Sequence, residues 1–403
     1  MNRHIANRLL RRIPPLVALG ALVFSLALNR WSWFHIPPVY EEDDMTAATY
    51  ALSFGDIRSL TAAAECINEG TWDSMVFSCD PFGRPFNYPD IWAQVFAHLG
   101  LGDSYAAPLG LALGGLVLMS FAIPLIYIAR SQRSLGHLVA LSLCVASPPV
   151  ALQLNRGNTD GLILAIVGIS SLLYQRKRSV SAALMGTVTA LKFFPVVALA
   201  AFEPIKRRFL APVSFLATAC IILYPSADSL VRLAEMQNPP GAYSFGSSLF
   251  LYHFLPVGLN FPRLWILMGG FASTIAASLA AWLLCRSRLG AVSTAIRSNP
   301  LGHATFTING MVFVGSFLSG ARYDYSQIFL VMTLIGLSLT PATGLFVKAL
   351  VGMGLTSLWG AFYVSQVSMV ADVSTGVFVW ILLSVLFQDR IDVFREIMAA
   401  RTD

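Results

Sequence analysis

The side chains able to do chemistry in this chain are few, and they fall in short motifs. EEDD at 41–44 places Asp43 and Asp44 just after the first apolar run, and FGDIR at 54–58 adds Asp56 and Arg58. NYPD at 87–90 supplies Asn87 and Tyr88, NRGNTD at 155–160 supplies Asn155, Arg156, Asn158 and Asp160, and RYDY at 322–325 supplies Arg322 and Asp324. Lys192 stands in ALKFFP at 190–195. Carboxylates at a membrane surface can exchange protons in acid–base work or offer hard oxygen ligands to Mg2+ or Mn2+. Solvation explains the EEDD run equally well, so it fixes no metal site. A lysine inside a bilayer is costly enough to mark a functional position, with snorkelling of its stem as the alternative.

The elements that must position these residues are membrane spans. Of 403 residues, 56% are hydrophobic and 12% charged, with a mean hydropathy of +0.66, whereas soluble domains carry roughly 25% charged residues. Apolar runs long enough to cross the bilayer core, about 17–25 residues each, begin near Ile13, Ala106, Leu135, Asp160, Phe209, Arg263, His303, Tyr325, Leu345 and Met369. The basic start MNRHIANRLLRR suggests a secretory signal, but the apolar run from Ile13 to Leu28 is long for one and LALNRW is a poor cleavage site. We read it as a retained anchor. The net charge of +6 comes from clusters at span ends, which points to topology and away from a nucleic-acid surface.

With a cytoplasmic N-terminus, the basic clusters around Arg8, Arg130 and Lys177 lie inside, and the loop 35–104 lies outside. The run from Val180 to Phe202 breaks this alternation, because RKR at 176–178 and KRR at 206–208 both favour the cytoplasm. A full crossing would divide the basic residues almost evenly between the two sides. A re-entrant hairpin leaves only Arg58, Arg84, Arg156, Arg232, Arg263 and Arg322 outside. We therefore expect two half-helices over 180–203, broken at ALKFFP, where Pro195 lacks a donor and disfavours helical geometry at Phe194. Non-helical backbone at membrane depth must face protein or a cavity, which puts Lys192 beside an interior cavity.

The expected fold is all-α and polytopic, one membrane domain over 1–403. It has about ten transmembrane helices, the hairpin, a long external first loop, cytoplasmic termini and no internal repeat. Within that loop SLTAAAECINEG reads as an interfacial helix. Every unusual polar motif then falls on the external face, which a single aqueous site explains. Cys66 and Cys79 are both external, and an oxidising compartment permits a disulfide between them. The six histidines show no zinc spacing, and His253, in a second external loop from about Asp228 to Phe261, is the one to test.

The stretches FGDIRSLTAAAECINEG, CDPFGRPFNYPDIW, NRGNTDGLILAIVGISSLLYQRKRSVSAALMGTVTALKFFP and RYDYSQIFLVM resemble the GT-C superfamily of membrane glycosyltransferases, in particular glycosyltransferase family 87. The resemblance runs roughly from Phe54 to Thr340. It implies a sugar donor on polyprenyl phosphate, a glycan or glycolipid acceptor, and inverting transfer with a first-loop carboxylate as general base. Asp56 matches that carboxylate by position, since it precedes an amphipathic stretch ending in Gly70; Asp43 and Asp44 are rivals, and helix capping is the structural alternative.

By the same resemblance Arg156, Lys192, Arg322 and Arg58 are candidates to meet the donor phosphate. An ion pair between Arg156 and Asp160 that merely holds the loop is the plainer reading of those two. Asn87, Tyr88, Asn155, Asn158, Asp160, Asp324 and His253 are the expected substrate-cavity residues. The family often has Glu where this chain has Asn155, which withholds acid–base work from residue 155. Members differ in metal use, so a divalent cation stays open.

The expected activity is transfer of a mannose-like or arabinose-like sugar at the external face of a bacterial inner membrane. A transporter or flippase of lipid-linked glycans is the alternative from another class, although such proteins often carry inverted repeats and paired broken helices. A surface-polysaccharide polymerase or ligase shares the lipid donor and the external site.

Overall fold

The computed structural model describes residues 54–72, 79–80, 86, 88–130, 135–202, 209–224, 244–247, 263–319, 322–340, 344–360 and 365–402. Among them the chain is helical apart from one antiparallel pairing of Ser244–Phe245 (β1) with Arg322–Tyr323 (β2). The α-helices run in the order α1 Gly55–Glu69, α2 Asp90–His98, α3 Ala106–Arg130, α4 Leu135–Val145, α5 Pro148–Arg156, α6 Asp160–Leu173 and α7 Arg178–Leu191. They continue as α8 Leu210–Leu223, α9 Arg263–Arg297, α10 Pro300–Leu318, α11 Ile328–Leu339, α12 Leu345–Gly360 and α13 Ser365–Thr402.

This is a helical integral membrane protein. Among the described residues four helical segments are long and apolar enough to cross a bilayer: Asp103–Ile128, Gly136–Arg156, Trp265–Arg297 and Pro300–Leu318. The apolar helices Asp160–Leu173, Leu210–Leu223, Ile328–Leu339 and Phe346–Trp359 are shorter than the roughly 20 residues of a perpendicular crossing. The expected starts from Ala106 to Met369 coincide with helix starts to within a few residues, and the expected span at Ile13 lies outside the described residues.

Hydropathy sets the layering. The apolar window of Pro300–Leu318 is 94% buried, whereas that of Trp265–Arg297 is 22% buried and presents Leu283 and Leu284 outward. Thus α10 is a central helix and α9 a peripheral one. Helix α11, which packs on α10, is buried along its whole length. Between helices in lipid, close approach of backbones does much of what water exclusion does in soluble cores. Gly315 of α10 shows it: a Cβ there would lie 2.0 Å from the Phe194 carbonyl oxygen.

That carbonyl belongs to the hairpin. Helix α7 ends at Leu191, Lys192 is extended at φ −152 and ψ 117, and a 3-10 helix returns from Phe194 to Ala201. The return is direct, because the Ala201 carbonyl accepts hydrogen bonds from the Tyr174 hydroxyl at 2.7 Å and from Arg178 Nη2 at 3.0 Å, at the foot of α7. The expected second α-helical limb is therefore corrected to a 3-10 run. Pro195 sits in its first turn, where a missing N–H costs nothing, so the break moves back to Lys192.

A smaller apolar cluster caps this bundle. Helix α1 buries Ile57, Leu60, Ala63 and Ala64 at helical spacing against Phe86 and Trp92. It ends at Gly70, whose φ of +71 suits a glycine cap. Cys66 at its end is disulfide-bonded to Cys79. Trp92 ties the cap to the hairpin tip by donating from Nε1 to the Leu191 carbonyl at 3.0 Å.

Candidate active site

The site forms where the cap meets the hairpin tip, and local backbone rules bring its residues there. Helix α5 starts with Pro148 and Pro149, which suit a first turn, and stops at Gly157 with φ +59. Phe54 holds φ +63, unusual for a bulky residue, and donates its N–H to the Asn155 carbonyl at 2.7 Å. Its ring fills the space beside Gly157, where a Cβ would come within 3.0 Å of it. This contact seats the start of α1 on the NRGN turn, so that Asp56 in the first turn of α1 faces Arg156.

Asp56, only 5% exposed, is ion-paired with Arg156, itself 4% exposed. Asn158 Nδ2 donates to Asp56 Oδ2 at 2.7 Å and to the Tyr88 hydroxyl at 3.1 Å. Its Oδ1 accepts from Lys192 Nζ at 3.2 Å and from the backbone N–H of Asp160 at 2.9 Å. Lys192 Nζ lies 2.9 Å from Asp160 Oδ1 and 5.2 Å from the centre of the Tyr88 ring, a cation–π distance. Ser326 donates to Asp160 Oδ2 at 2.6 Å. Two carboxylates and two cations are thus gathered, nearly sealed from solvent, around one amide. Desolvation makes buried ion pairs poor stabilisers against apolar replacements, which marks the arrangement as a candidate site.

The sequence-based pairings change accordingly. Arg156 pairs with Asp56 and Asp160 with Lys192, which replaces the expected Arg156–Asp160 bond because Gly157 turns the chain between them. Asp56 is not an N-cap: Phe54 holds that position, α1 has no side-chain cap bond, and the Asp56 carboxylate turns to Arg156 and Asn158 instead. Arg58 bonds Asp103 at 3.0 Å in an exposed pair. Asn155 contributes its carbonyl to Phe54. Arg322 lies in β2 and Asp324 opens a 3-10 turn leading to Ser326, and their side chains are outside the described set. Asp43, Asp44, Asn87 and His253 also lie outside the described residues. Among the described residues no group of three His, Cys, Asp or Glu side chains is placed to hold a metal ion.

Two members of the network were not foreseen. Ser326 gave no signal of its own, though it directly follows RYDY. Gln153 donates to the Asn158 carbonyl at 2.6 Å and thereby steadies the turn.

The family model for glycosyltransferase family 87 matches residues 86–308, more than half of the chain. The chain belongs to glycosyltransferase family 87. No curated protein and no solved structure matches it. The family-87 segment contains Tyr88, Arg156, Asn158, Asp160 and Lys192, whereas Asp56 and Ser326 flank it and reach it only through folding.

A second polar cluster joins α9, α10 and α13. His303 Nε2 lies 3.0 Å from Asp389 Oδ2, and Arg390 is ion-paired with the same oxygen. Arg297 Nε lies 3.6 Å from Asp389 Oδ1, its Nη2 lies 3.6 Å from Asp392 Oδ2, and its Nη1 pairs with Glu396. A groove of about 470 Å³ opens beside it, lined in part by Arg286, Arg297, Asp392 and Glu396.

Proposed function

We propose that this glycosyltransferase moves a sugar from a polyprenyl-phosphate donor to a lipid-linked or cell-envelope glycan acceptor at the external face of the membrane, with inversion and with Asp56 as general base. The acceptor hydroxyl oxygen attacks the anomeric carbon, and the bond from that carbon to the phosphate oxygen breaks. The hydroxyl proton passes to Asp56, and polyprenyl phosphate leaves with the bonding electrons. Arg156 and Lys192 meet the phosphate charge, as preorganised cations in a water-poor site do best. A mannose-like or arabinose-like sugar suits the family, and a bacterial inner membrane suits the lipid donor.

The observation that supports this reading is the Asp56–Arg156 ion pair bridged through Asn158 to Lys192 and Asp160. It puts a base candidate and two cations for the phosphate in one small volume. A carboxylate paired to arginine is a weak base, because the cation favours its charged form. Turning Arg156 toward the donor phosphate relieves that restraint, so donor binding activates the base. The ten-span topology, with the hairpin entering from the cytoplasm and its tip near the external surface, belongs to the same reading.

The test is transfer from a synthetic polyprenyl-phosphate sugar by the purified protein. Wild type should form product, and Asp56→Asn should lose at least about 100-fold in turnover, the lower end of what a general base contributes. Unchanged turnover in the variant removes Asp56 from the role. Donor left intact while lipid-linked glycan crosses vesicles would instead favour a flippase.

A further inference from the structure

Asn158 is completely buried, and all its hydrogen-bonding capacity is engaged. An amide has two N–H donors and an oxygen with two lone pairs. Here the donors go to Asp56 Oδ2 and the Tyr88 hydroxyl, and the lone pairs take Lys192 Nζ and the Asp160 N–H. Its orientation follows from chemistry alone. An ammonium group and a backbone N–H can only donate, so Oδ1 must face them; a carboxylate can only accept, so Nδ2 must face Asp56. No other side chain of this length does all four tasks. Aspartate cannot donate, leucine does neither, and serine has one hydroxyl.

The backbone holds this amide as firmly as its partners do. The Asn158 carbonyl accepts from Gln153 Nε2 at 2.6 Å and from the Gly161 N–H at 3.1 Å, and Gly157 with its positive φ directs the chain into the turn. The side chain is therefore fixed before any substrate arrives. Through it, and through the direct Lys192–Asp160 contact, the carboxylate on α1 is linked to the ammonium group at the hairpin tip.

We propose that Asn158 is the positioning residue of the transfer reaction, coupling the proton-accepting side of the site at Asp56 to the phosphate-binding side at Lys192 through a single oriented amide. This rests on the assignment of Asp56 as base. In this role Asn158 acts through its neighbours: it holds Asp56 Oδ2 with its N–H and Lys192 with its carbonyl, so that neither drifts when Arg156 turns to the phosphate. The charged and titratable groups facing it are Asp56 from α1, Tyr88 from the segment before α2, Asp160 from α6 and Lys192 from the hairpin.

The test is the pH dependence of kcat and kcat/KM for transfer from a synthetic polyprenyl-phosphate sugar, using full-length wild type, Asn158→Ser, Asn158→Leu and Asn158→Asp. Losing the N–H donor disfavours the ionised Asp56, and a carboxylate in its place disfavours it more, because like charges share the site. The acid limb should therefore move to higher pH in the order Ser, Leu, Asp, by about one unit or more for Asp. Turnover should fall more than donor KM rises for Ser. A merely structural amide would lower melting temperature and yield while leaving the acid limb of the folded fraction at its wild-type position, and that result overturns the proposal. The Leu variant decides it if the Asp variant does not fold. Asp56→Asn in the same assay separates the two claims: if it turns over normally, the base assignment fails, whereas an inactive Asp56→Asn with unshifted Asn158 variants defeats only the coupling role.

Discussion

Two polar clusters in this molecule both pair aspartates with arginines and are built in different ways. Around Asp389 the carboxylates share one continuous helix, Asp389, Asp392 and Glu396 lying at successive turns along one face of α13 toward Arg297 at the end of α9. Around Asp56 the partners sit where helices begin, end or break: the first turn of α1, the last residue of α5, the turn after Gly157, the start of α6 and the hairpin tip. Carboxylates carried on one helix keep their spacing, so the first cluster is built as a clamp. Residues at helix ends can exchange partners without unwinding a helix, so the second is suited to chemistry.

The comparison breaks most readily at Asp389. Asp389→Ala removes the buried carboxylate that His303, Arg390 and Arg297 share and should cost about 3–5 kcal/mol of stability. Thermal unfolding in detergent reads this as a large drop in melting temperature, with turnover per folded molecule retained. Replacing Cys66 and Cys79 by Ser opens a short loop at the end of α1 and should cost about 2–4 kcal/mol, seen as a lower melting temperature. Lys192→Met removes a charge-assisted contact of about 2 kcal/mol, so KM for the polyprenyl-phosphate donor should rise about 30-fold while KM for the acceptor stays within threefold. Arg58→Ala, at an exposed pair with Asp103, should change stability by less than about 1 kcal/mol and leave transfer intact, although Arg58 is a basic neighbour of Asp56 in sequence.

The sequence shows which residues come together in the second cluster better than it shows how they pair. Asp56, Arg156, Asn158, Asp160 and Lys192 stand out because polar groups are costly in so apolar a chain. Their partners could not be read off, since Asp56 and Asn158 are 102 residues apart with α2, α3, α4 and α5 between them, and the turn at Gly157 decides which way each neighbour faces. Helix starts were legible from apolar runs. The limb after Lys192 was not, because a proline marks equally the end of one helix and the first turn of the next. The clamp around Asp389 escaped notice because its charges look like topology signals at a span end, although the Asp389, Asp392, Glu396 spacing was there to be read.

The measurement that bears most directly on the difference between the two clusters is a matched pair, Asp56→Asn and Asp389→Asn, each purified and assayed for sugar transfer and for thermal unfolding. Both variants should melt earlier than wild type, since each weakens a buried ion pair, but folded Asp56→Asn should lose about 100-fold or more in turnover, whereas folded Asp389→Asn should turn over normally. A folded Asp56→Asn that turns over normally, beside a folded Asp389→Asn that does not, would contradict this division of roles.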